Sequence, residues 1–372
     1  MVKKVIGSLI VLGLIVGGVG VWQVMGEKPQ VTKSVEQGAK NTEQKGQLKS
    51  QASSPKPQSH PIKTVKIMNT KDKRMIEEVF EMDPEGSVLP SSPAWSPDNK
   101  KIAYLCVDGP YIGIPWVGDG QIWLRDLTTM NDTPILIDVD EYGYAMGQGG
   151  IDFSPDGKQI VCVLEGTKRP MIPQVWRIDI GGENKVHLTN FEEYRYVLSP
   201  KWVPDGKKIL LAFAGGTIHL INPDGSGYIE KPTSTKKGGG GNWSSDGKKI
   251  VFMSKDNIWI INSDGTNPVQ LTTDGNVDRD YIPSWSPKGN KIAYTIYGDE
   301  KCPNYIMICN VDGSNPTKLL LSNNLIGTNP VWSKDGKRLL IVGLKDITPP
   351  LSKTTYYTAG MYILTLPEEV LK

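Results

Sequence analysis

The sequence is poor in the residues that build most metal sites and nucleophilic active sites. It has 4 cysteines and 3 histidines, and no two cysteines form a CxxC pair. It also lacks a G-x-S-x-G motif, which excludes the nucleophile turn of the α/β-hydrolases. His60, His187 and His219 do not have the spacing of metal ligands. The sequence therefore predicts no catalytic residue, no metal site and no cofactor site, and we expect the protein not to be an enzyme.

Charge is nearly balanced, with 42 basic and 40 acidic residues and a formal net charge of +2. Such a chain has no strong field to attract nucleic acid. Its 40 glycines and 27 prolines are dispersed, which is typical of all-β proteins with many turns. It has 10 tryptophans but only 5 phenylalanines, a bias that indicates a repeat with one tryptophan at a fixed position.

A long uncharged run, Val5 to Met25, follows Lys3 and Lys4. As a helix it would extend about 30 Å, enough to cross the hydrocarbon core of a bilayer. Because no small-residue cleavage site ends the run, residues 1–26 are predicted to be a single transmembrane helix, with the bulk of the chain on the extracytoplasmic side. A secreted protein is the alternative if this segment is cleaved. Residues 27–61 are polar and predicted to be a disordered linker.

Residues 62–372 contain one turn motif six times, each copy preceded by an aromatic residue at position 95, 153, 202, 243, 285 or 332. A four-stranded propeller blade needs about 40–45 residues, which is close to the shorter of the intervals between successive aromatic positions. The six copies are Ser96-Pro97-Asp98-Asn99, Ser154-Pro155-Asp156-Gly157, Val203-Pro204-Asp205-Gly206, Ser244-Ser245-Asp246-Gly247, Ser286-Pro287-Lys288-Gly289 and Ser333-Lys334-Asp335-Gly336.

The chemistry of the repeat predicts an antiparallel blade. Proline presets φ for a type I turn, and glycine then adopts the positive φ that closes a hairpin. β-rich segments and Asp-Gly turns follow, which gives four strands per unit. An open two-sheet sandwich is the alternative, but a sandwich does not repeat one turn six times in register. The fold class is therefore all-β, a six-bladed β-propeller of four-stranded antiparallel blades.

The two ends of the repeat region predict how the ring closes. The last unit ends at Leu366 without an outer strand, and the strand-like segment Met75 to Phe80 has no unit of its own. We expect this segment to supply the missing outer strand. For Lys63 to Met68, a further edge strand and a part of the linker both remain open.

These motifs resemble the propeller repeats of the TolB-like family, with its W-S-P-D-G-K-x-I-A-[FY] unit and its x-x-L-T outer strand. The resemblance covers Ile62 to Pro367. The sequence departs from the family pattern at five turn positions, namely Asn99, Phe153, Ser245, Lys288 and Lys334. TolB itself has an α/β domain before its propeller, and this sequence has the apolar segment and linker in its place. The resemblance therefore implies the propeller, and not membership of the Tol complex.

Function is predicted on the face of the disc that carries the longer connections, because loops on a rigid scaffold commonly bind partners. Those connections are rich in aromatic residues and arginine, the composition of a recognition surface. We expect a protein or peptide partner there and a tethered binding or scaffold module, with no nucleic acid bound. The predicted binding residues are Tyr111, Trp116, Tyr142, Tyr144, Arg169, Tyr194, Arg195, Tyr196, Arg279, Tyr356 and Tyr357.

Two further interpretations stay open. The aromatic face would also suit a glycan, so a propeller that binds or degrades cell-envelope polysaccharide is the alternative function; its carboxylates would be Asp278 and Asp280 with Glu192 or Glu193. Cys302 and Cys309 could form a disulfide if a hairpin brings them together. Otherwise Cys309 is a small apolar strand residue.

Overall fold

The structure is a computed structural model. It describes residues 11–16, 19–24, 63–67, 75–81, 88–108, 119–135, 144–145, 150–165, 172–193, 195, 197–213, 217–231, 238–278, 282–298, 304–321, 325–346 and 357–372. Within these ranges the regular structure consists of β-strands and one short helix near the C-terminus. The all-β prediction is confirmed.

The apolar N-terminal segment differs from the predicted helix. It contains two strands, β1 (Val11–Val16) and β2 (Val19–Val24), which pair antiparallel with Val11 opposite Val24. The sequence explains this pairing, because the strands are rich in β-branched valine and the dipeptide between them is Gly17-Gly18, which favours a hairpin turn. Among the described residues, we find no helix with the length and apolar character needed to cross a membrane.

Twenty-six further strands and one helix make up the rest of the described chain. Two strands precede the first repeat: β3 (Lys63–Ile67) and β4 (Ile76–Glu81). Blade 1 contains β5 (Val88–Trp95), β6 (Lys101–Asp108), β7 (Asp119–Asp126) and β8 (Asp132–Ile135). Blade 2 contains β9 (Tyr144–Ala145), β10 (Asp152–Phe153), β11 (Gln159–Glu165), β12 (Pro173–Asp179) and β13 (Val186–His187). Blade 3 contains β14 (Val197–Trp202), β15 (Ile209–Phe213), β16 (Ile218–Ile221) and β17 (Ile229–Lys231).

The second half continues in the same way. Blade 4 contains β18 (Gly238–Trp243), β19 (Lys249–Ser254), β20 (Asn257–Asn262) and β21 (Val269–Gln270). Blade 5 contains β22 (Ser284–Trp285), β23 (Lys291–Ile296), β24 (Tyr305–Asn310) and β25 (Thr317–Leu321). Blade 6 contains β26 (Leu325–Trp332), β27 (Arg338–Asp346) and β28 (Tyr357–Thr365), and the helix α1 is Glu368–Leu371.

The blades form a closed ring. Within each blade the strands pair antiparallel and in chain order, and in blade 2 this series starts at β10 because β9 pairs with β11. The first strand of each such series contacts the first strands of both neighbouring blades, including β26 against β5. First strands are therefore innermost, as in a propeller. The six-bladed architecture that the turn motif predicts is confirmed.

The outer strand of blade 6 comes from the N-terminal side of the repeats, as predicted. β4 pairs antiparallel with β28, with Glu77 opposite Ile363 and a bulge at Met361 and Tyr362. The Arg125 guanidinium of blade 1 donates to the backbone oxygen of Val79 in β4, so this strand is also tied to the next blade. One strand thus closes the ring between the last blade and the first.

The position of β3 shows whether the segment Lys63 to Met68 is an edge strand or part of the linker, which the sequence left open. It adds a fifth strand to blade 5 and pairs parallel with β25, so that Lys63 lies opposite Thr317 and Ile67 opposite Leu321. The Lys63 ammonium lies 3.2 Å from the Glu369 carboxylate of α1. The segment is therefore an edge strand, and its first residue contacts the C-terminal helix.

The repeated turn forms as its residues predict. In blade 2, the Gly157 N–H donates to the Ser154 carbonyl oxygen at 2.9 Å, and Gly157 has a φ of 71°. The Ser154 hydroxyl donates to the Asp156 carboxylate at 2.6 Å. In blade 1, Asn99 takes the glycine position with a φ of 59°, which asparagine tolerates better than most residues do. This departure from the repeat therefore preserves the turn.

The core consists of six hydrophobic clusters, each between two neighbouring blades. The aromatic residue before each turn packs into the cluster shared with the preceding blade. Trp95 thus fills the seam between blades 6 and 1, and Phe153 fills the seam between blades 1 and 2. This shared position is the physical reason for one large aromatic side chain per repeat.

The cysteine thiols Cys162 and Cys309 are free and buried, so the alternative bridge to Cys302 is not formed; Cys302 lies outside the described residues. Cys309 packs in the seam between blades 4 and 5. Burial raises its pKa to about 12 and also raises the pKa of Cys162. Both residues behave as apolar core residues.

We expect the two thiols to resist iodoacetamide at pH 8 in the native protein, because the pKa of Cys309 lies three units above 9.0 and its thiolate is roughly a thousandfold rarer. Mass spectrometry of the alkylated native and denatured protein checks this. The predicted result is that both thiols are alkylated only after denaturation, and that no reductant is needed for this. Failure of denatured, unreduced Cys309 to react would contradict it and indicate a disulfide.

Candidate binding face

The antiparallel blades give the disc two different faces. The turns between the first and second strands, such as Ser154 to Gln159, lie on the same face as those between the third and fourth strands, such as Asn222 to Ser226. We call this the turn face. The other connections, including Lys255-Asp256 in blade 4, lie on the opposite side, which we call the loop face. This is the arrangement that the sequence predicts for its aromatic-rich connections.

The structure describes three of the predicted binding residues, and all three belong to the loop face. Tyr144 begins β9 opposite Glu165, and Tyr357 begins β28 opposite Asp346. Arg195 lies exposed in the connection between blades 2 and 3. The others lie outside the described residues, and their assignment stays a prediction: Tyr111, Trp116, Tyr142, Arg169, Tyr194, Tyr196, Arg279 and Tyr356.

Four aromatic rings form a cluster on blade 3, which we call the aromatic cluster: Phe191, Phe213, His219 and Tyr228. Phe191, Phe213 and His219 lie towards the loop face, and the Tyr228 ring joins them from the turn-face end of β17. The Phe191 ring lies edge-on to Phe213 at 5.7 Å and to Tyr228 at 6.4 Å, measured between ring centroids. His219 lies 4.7 Å from Phe213 and 4.9 Å from Tyr228. His219 is buried, whereas Tyr228 is 42% exposed. The cluster therefore has an anchored base and an exposed ring.

Gln174 at the start of β12 fixes the backbone of Phe191. Its side-chain oxygen accepts hydrogen bonds from the Thr189 hydroxyl at 2.8 Å and the Phe191 N–H at 3.0 Å. Its side-chain nitrogen donates to the Phe191 carbonyl oxygen at 3.0 Å. An amide that satisfies both backbone groups of one residue holds that part of the backbone in place before a partner arrives, which lowers the entropy cost of binding. Sequence reasoning missed this role, because Gln174 reads only as a strand residue.

Arg195 adds charge to the aromatic cluster. Its guanidinium carbon lies 5.6 Å from the centroid of the Phe191 ring, within the range of a cation–π contact. Because Arg195 is exposed, its donors remain accessible to a partner. The arrangement can therefore offer apolar area, stacking and hydrogen-bond donors together.

The two propeller histidines are placed separately. His187 lies on the outer strand of blade 2 and stacks on Trp176, with ring centroids 4.3 Å apart. Burial lowers the pKa of His187, which favours its neutral form. His219 packs within the aromatic cluster of blade 3. Within the part of the chain that the structure describes, no three His, Cys, Asp or Glu side chains are grouped to hold a metal ion.

The carboxylates of the alternative enzyme interpretation are not brought together. Asp278 is buried in the connection between blades 4 and 5, where it accepts a hydrogen bond from the Asn304 side chain at 2.8 Å. Glu192 and Glu193 are exposed in the connection between blades 2 and 3. Asp280 lies outside the described residues. The described carboxylates therefore lie in connections that are two blades apart.

The turn face carries a series of carboxylates with lowered pKa values. A serine hydroxyl two residues away is the largest cause at Asp98, Asp156, Asp224 and Asp246, and a backbone N–H adds to it. These bonds favour the ionised form. The Asp side chains thus stabilise the turns.

Acid is expected to destabilise the propeller through these turns. In the folded protein the pKa values of these carboxyl groups lie below 3.8. Their contribution to the free energy of unfolding is therefore complete well above pH 3.8, and it is lost as the pH falls through 3.8 towards the pKa values of the folded state. The melting temperature should stay level from about pH 7 to about pH 5 and fall below about pH 4. Asp246→Asn should show a smaller fall than the wild type. A melting temperature that is equal at pH 5 and pH 3 would rule this out.

A protein-family model described as the TolB beta propeller domain matches residues 83–301, more than half of the chain. The chain belongs to the TolB beta propeller domain family. This membership confirms the resemblance of its turn motifs, and all six blades are present although the match ends within blade 5.

Individual proteins are similar to shorter parts of this chain. The chain is 32% identical over 111 residues to the Tol-Pal system protein TolB of Anaeromyxobacter dehalogenans strain 2CP-C, which covers 28% of this chain and 24% of that protein. The chain thus spans about a quarter of the length of the curated relatives that it matches.

Solved structures share the fold of this TolB-like propeller. A putative TolB from Agrobacterium tumefaciens has a TM-score of 0.51 at 19% identity, covering 75% of this chain and 91% of that one. An oligogalacturonate lyase in complex with manganese has a TM-score of 0.50 at 16% identity, covering 76% and 78%. At these identities the similarity shows the fold alone.

Proposed function

We propose that this TolB-like propeller is an extracytoplasmic binding or scaffold module that holds a protein or peptide partner at its loop face. The aromatic cluster carries the proposal, since Gln174 holds the backbone of Phe191 and the exposed guanidinium of Arg195 contacts the Phe191 ring. A few residues supply most of the binding energy in protein interfaces, and tryptophan, tyrosine and arginine are enriched among them. Tyr228, at 42% exposure, offers the ring that a partner would cover.

The name of the Anaeromyxobacter relative, a protein of the Tol-Pal system, supports a protein partner. The identity of that partner does not follow, because the match covers only 24% of the relative. Binding rather than catalysis is supported by the carboxylates: Asp278 is buried and hydrogen-bonded, and Glu192 and Glu193 lie in a different connection.

The domain organisation is part of the same proposal: residues 1–26 attach the chain to a membrane, residues 27–61 are the linker, and residues 62–372 are the propeller. The support is the uncharged run from Val5 to Met25 behind Lys3 and Lys4. Carbonate extraction of membranes tests it. Retention of the full chain in the pellet agrees with attachment, and release into the supernatant would overturn it.

Capture from native envelope extract tests the binding function. The full chain is compared with Tyr228→Ala, which removes an exposed ring, and with Lys158→Gln, which changes an exposed turn-face residue. We expect Tyr228→Ala to reduce capture of a protein partner about tenfold and Lys158→Gln to leave it unchanged.

Circular dichroism of both variants serves as the control for folding. Equal capture by the wild type and Tyr228→Ala would contradict a binding site at the aromatic cluster. Capture of glycan without protein would overturn the proposal and favour the polysaccharide-binding alternative.

A further inference from the structure

The seam between blades 3 and 4 differs from the other five seams of the ring. In those five, the hydrophobic cluster includes a buried apolar residue from the outer strand of the preceding blade. These residues are Ile135, Leu188, Leu271, Leu319 and Val79. Among the described side chains, no outer-strand residue belongs to the cluster between blades 3 and 4. This seam therefore lacks the apolar residue that closes the others from outside.

The sequence explains this difference. Lys231 is the last residue of the outer strand β17 and lies opposite Ile218. The same register position in blade 5 holds Leu319, which lies opposite Ile306. A lysine ends in a charged group, which is costly to bury among apolar side chains. Lys231 thus cannot fill an apolar seam as the leucine of blade 5 does.

A cleft opens in this seam. Its lining residues come from blades 3 and 4 and are mostly aliphatic: Ile218, Leu220, Ile250, Ile261, Asn262, Ser263 and Gly265. The empty space is about 250 Å³, including the part that is open to solvent. Pockets for whole small molecules typically measure about 300–1,000 Å³. The cleft therefore suits a single aliphatic side chain.

Ile229 of β17 extends the apolar surface of the cleft towards the rim of the disc. It lies opposite Leu220 in the antiparallel pair of β16 and β17, so the two side chains are on the same side of the blade. Ile229 is 45% exposed. In the described part of the chain, β17 is the last strand of its sheet, so its outer backbone edge has no strand partner there. An extended segment can pair along this edge.

Blade 5 shows how an extended segment fills a seam from outside. The five residues of β3 add to the outer strand β25 of that blade. Ile67, the last residue of β3, is fully buried. It packs in the cluster between blades 5 and 6, together with Ile306 and Leu319. A short added strand thus places one isoleucine between two blades.

We propose that the cleft between blades 3 and 4 is a second protein-binding site, which takes one leucine or isoleucine side chain from an extended segment of a partner. The segment lies along the free edge of β17, as β3 lies along β25, and covers Ile229. Backbone pairing supplies affinity, and the cleft selects the side chain. His219 alternates with Ile218 and Leu220 along β16, so the aromatic cluster is on the opposite side of blade 3. The second site is therefore independent of the proposed loop-face site.

Methyl NMR of the full chain, labelled at the isoleucine δ1 methyl groups, tests this site. The probe is a synthetic peptide with the sequence of β3, Lys63 to Ile67. We expect saturable shifts at Ile218, Ile250 and Ile261, which line the cleft, and none at Ile160, which lies between blades 1 and 2. The same peptide with Ile67→Ala should bind at least about tenfold more weakly, because it buries less apolar area.

Lys231→Leu is the matched test in the protein, because the new side chain should fill the cleft from within. We expect it to remove the peptide-induced shifts and to raise the melting temperature. Lys158→Leu makes the same change at an exposed residue of blade 2 and should bind the peptide as the wild type does.

Three results would overturn the second site. The first is that the wild type shows no shift, or no saturation, at the three isoleucines of the cleft. The second is that Lys231→Leu binds the peptide as tightly as the wild type does. The third is a shift at Ile306 without shifts in the cleft, since it would show that the peptide replaces β3 in blade 5.

Discussion

Trp95→Ala is expected to lower the free energy of unfolding by about 4 kcal/mol, the cost of emptying a buried tryptophan site. Trp95 is 2% exposed and fills the seam between blades 6 and 1, where it packs with Leu340 and Ile363. Its indole N–H also donates to the Val331 carbonyl oxygen at 3.1 Å, across the point where the ring closes. One substitution thus removes packing and a hydrogen bond from the same junction.

Thermal unfolding followed by circular dichroism measures this effect, and a loss of roughly 10 °C is expected for a domain of this size. Trp95→Phe is the matched control: it keeps most of the apolar volume and loses the hydrogen bond, so it should cost about 1 kcal/mol. A Trp95→Ala variant that melts within 2 °C of the wild type, as an approximate threshold, would show that this seam is not needed for stability.

Val79→Asp is expected to release the outer strand of blade 6, with a loss of at least about 3 kcal/mol. Val79 is 3% exposed on β4 and packs in the same cluster as Trp95 and Met361. An aspartate there would bury a carboxylate among apolar side chains. The backbone oxygen of Val79 would remain able to accept from Arg125, so the effect reports on the side chain.

Hydrogen–deuterium exchange of the variant shows where the damage lies. We expect faster exchange along β28, which pairs with β4, and little change in blades 2 to 4. Glu77→Gln changes an exposed residue of the same strand and should exchange as the wild type does. Unchanged protection of β28 in Val79→Asp would mean that β4 does not hold blade 6 together.

The turn motif predicted most of the fold because its determinants are local. Pro97, Asp156 and Gly157 act within a few residues of themselves, and six such turns in one register are enough to define six blades. The outer strand β4 was also predictable, since a blade short of one strand leaves a pairing to be filled. Both inferences depend on counting and on short-range geometry.

Other features depend on contacts between distant segments and could not be predicted. The parallel pairing of Lys63 with Thr317 has no counterpart within the repeat. The N-terminal segment was predicted as a helix from its hydrophobicity, whereas valines around Gly17-Gly18 form a hairpin in the structure. In the binding face, the clamp of Gln174 on Phe191 joins residues 17 positions apart. Apolar character alone does not select between a helix and a strand.

Photocrosslinking in the native envelope is the most direct test of partner binding at the loop face. A photoreactive amino acid replaces Arg195 on the loop face or, in a second variant, Lys158 on the turn face; both positions are exposed. The account predicts a discrete protein adduct from position 195 and none from position 158. An adduct from position 158 alone, with none from position 195, would contradict it and place the partner on the opposite face of the propeller.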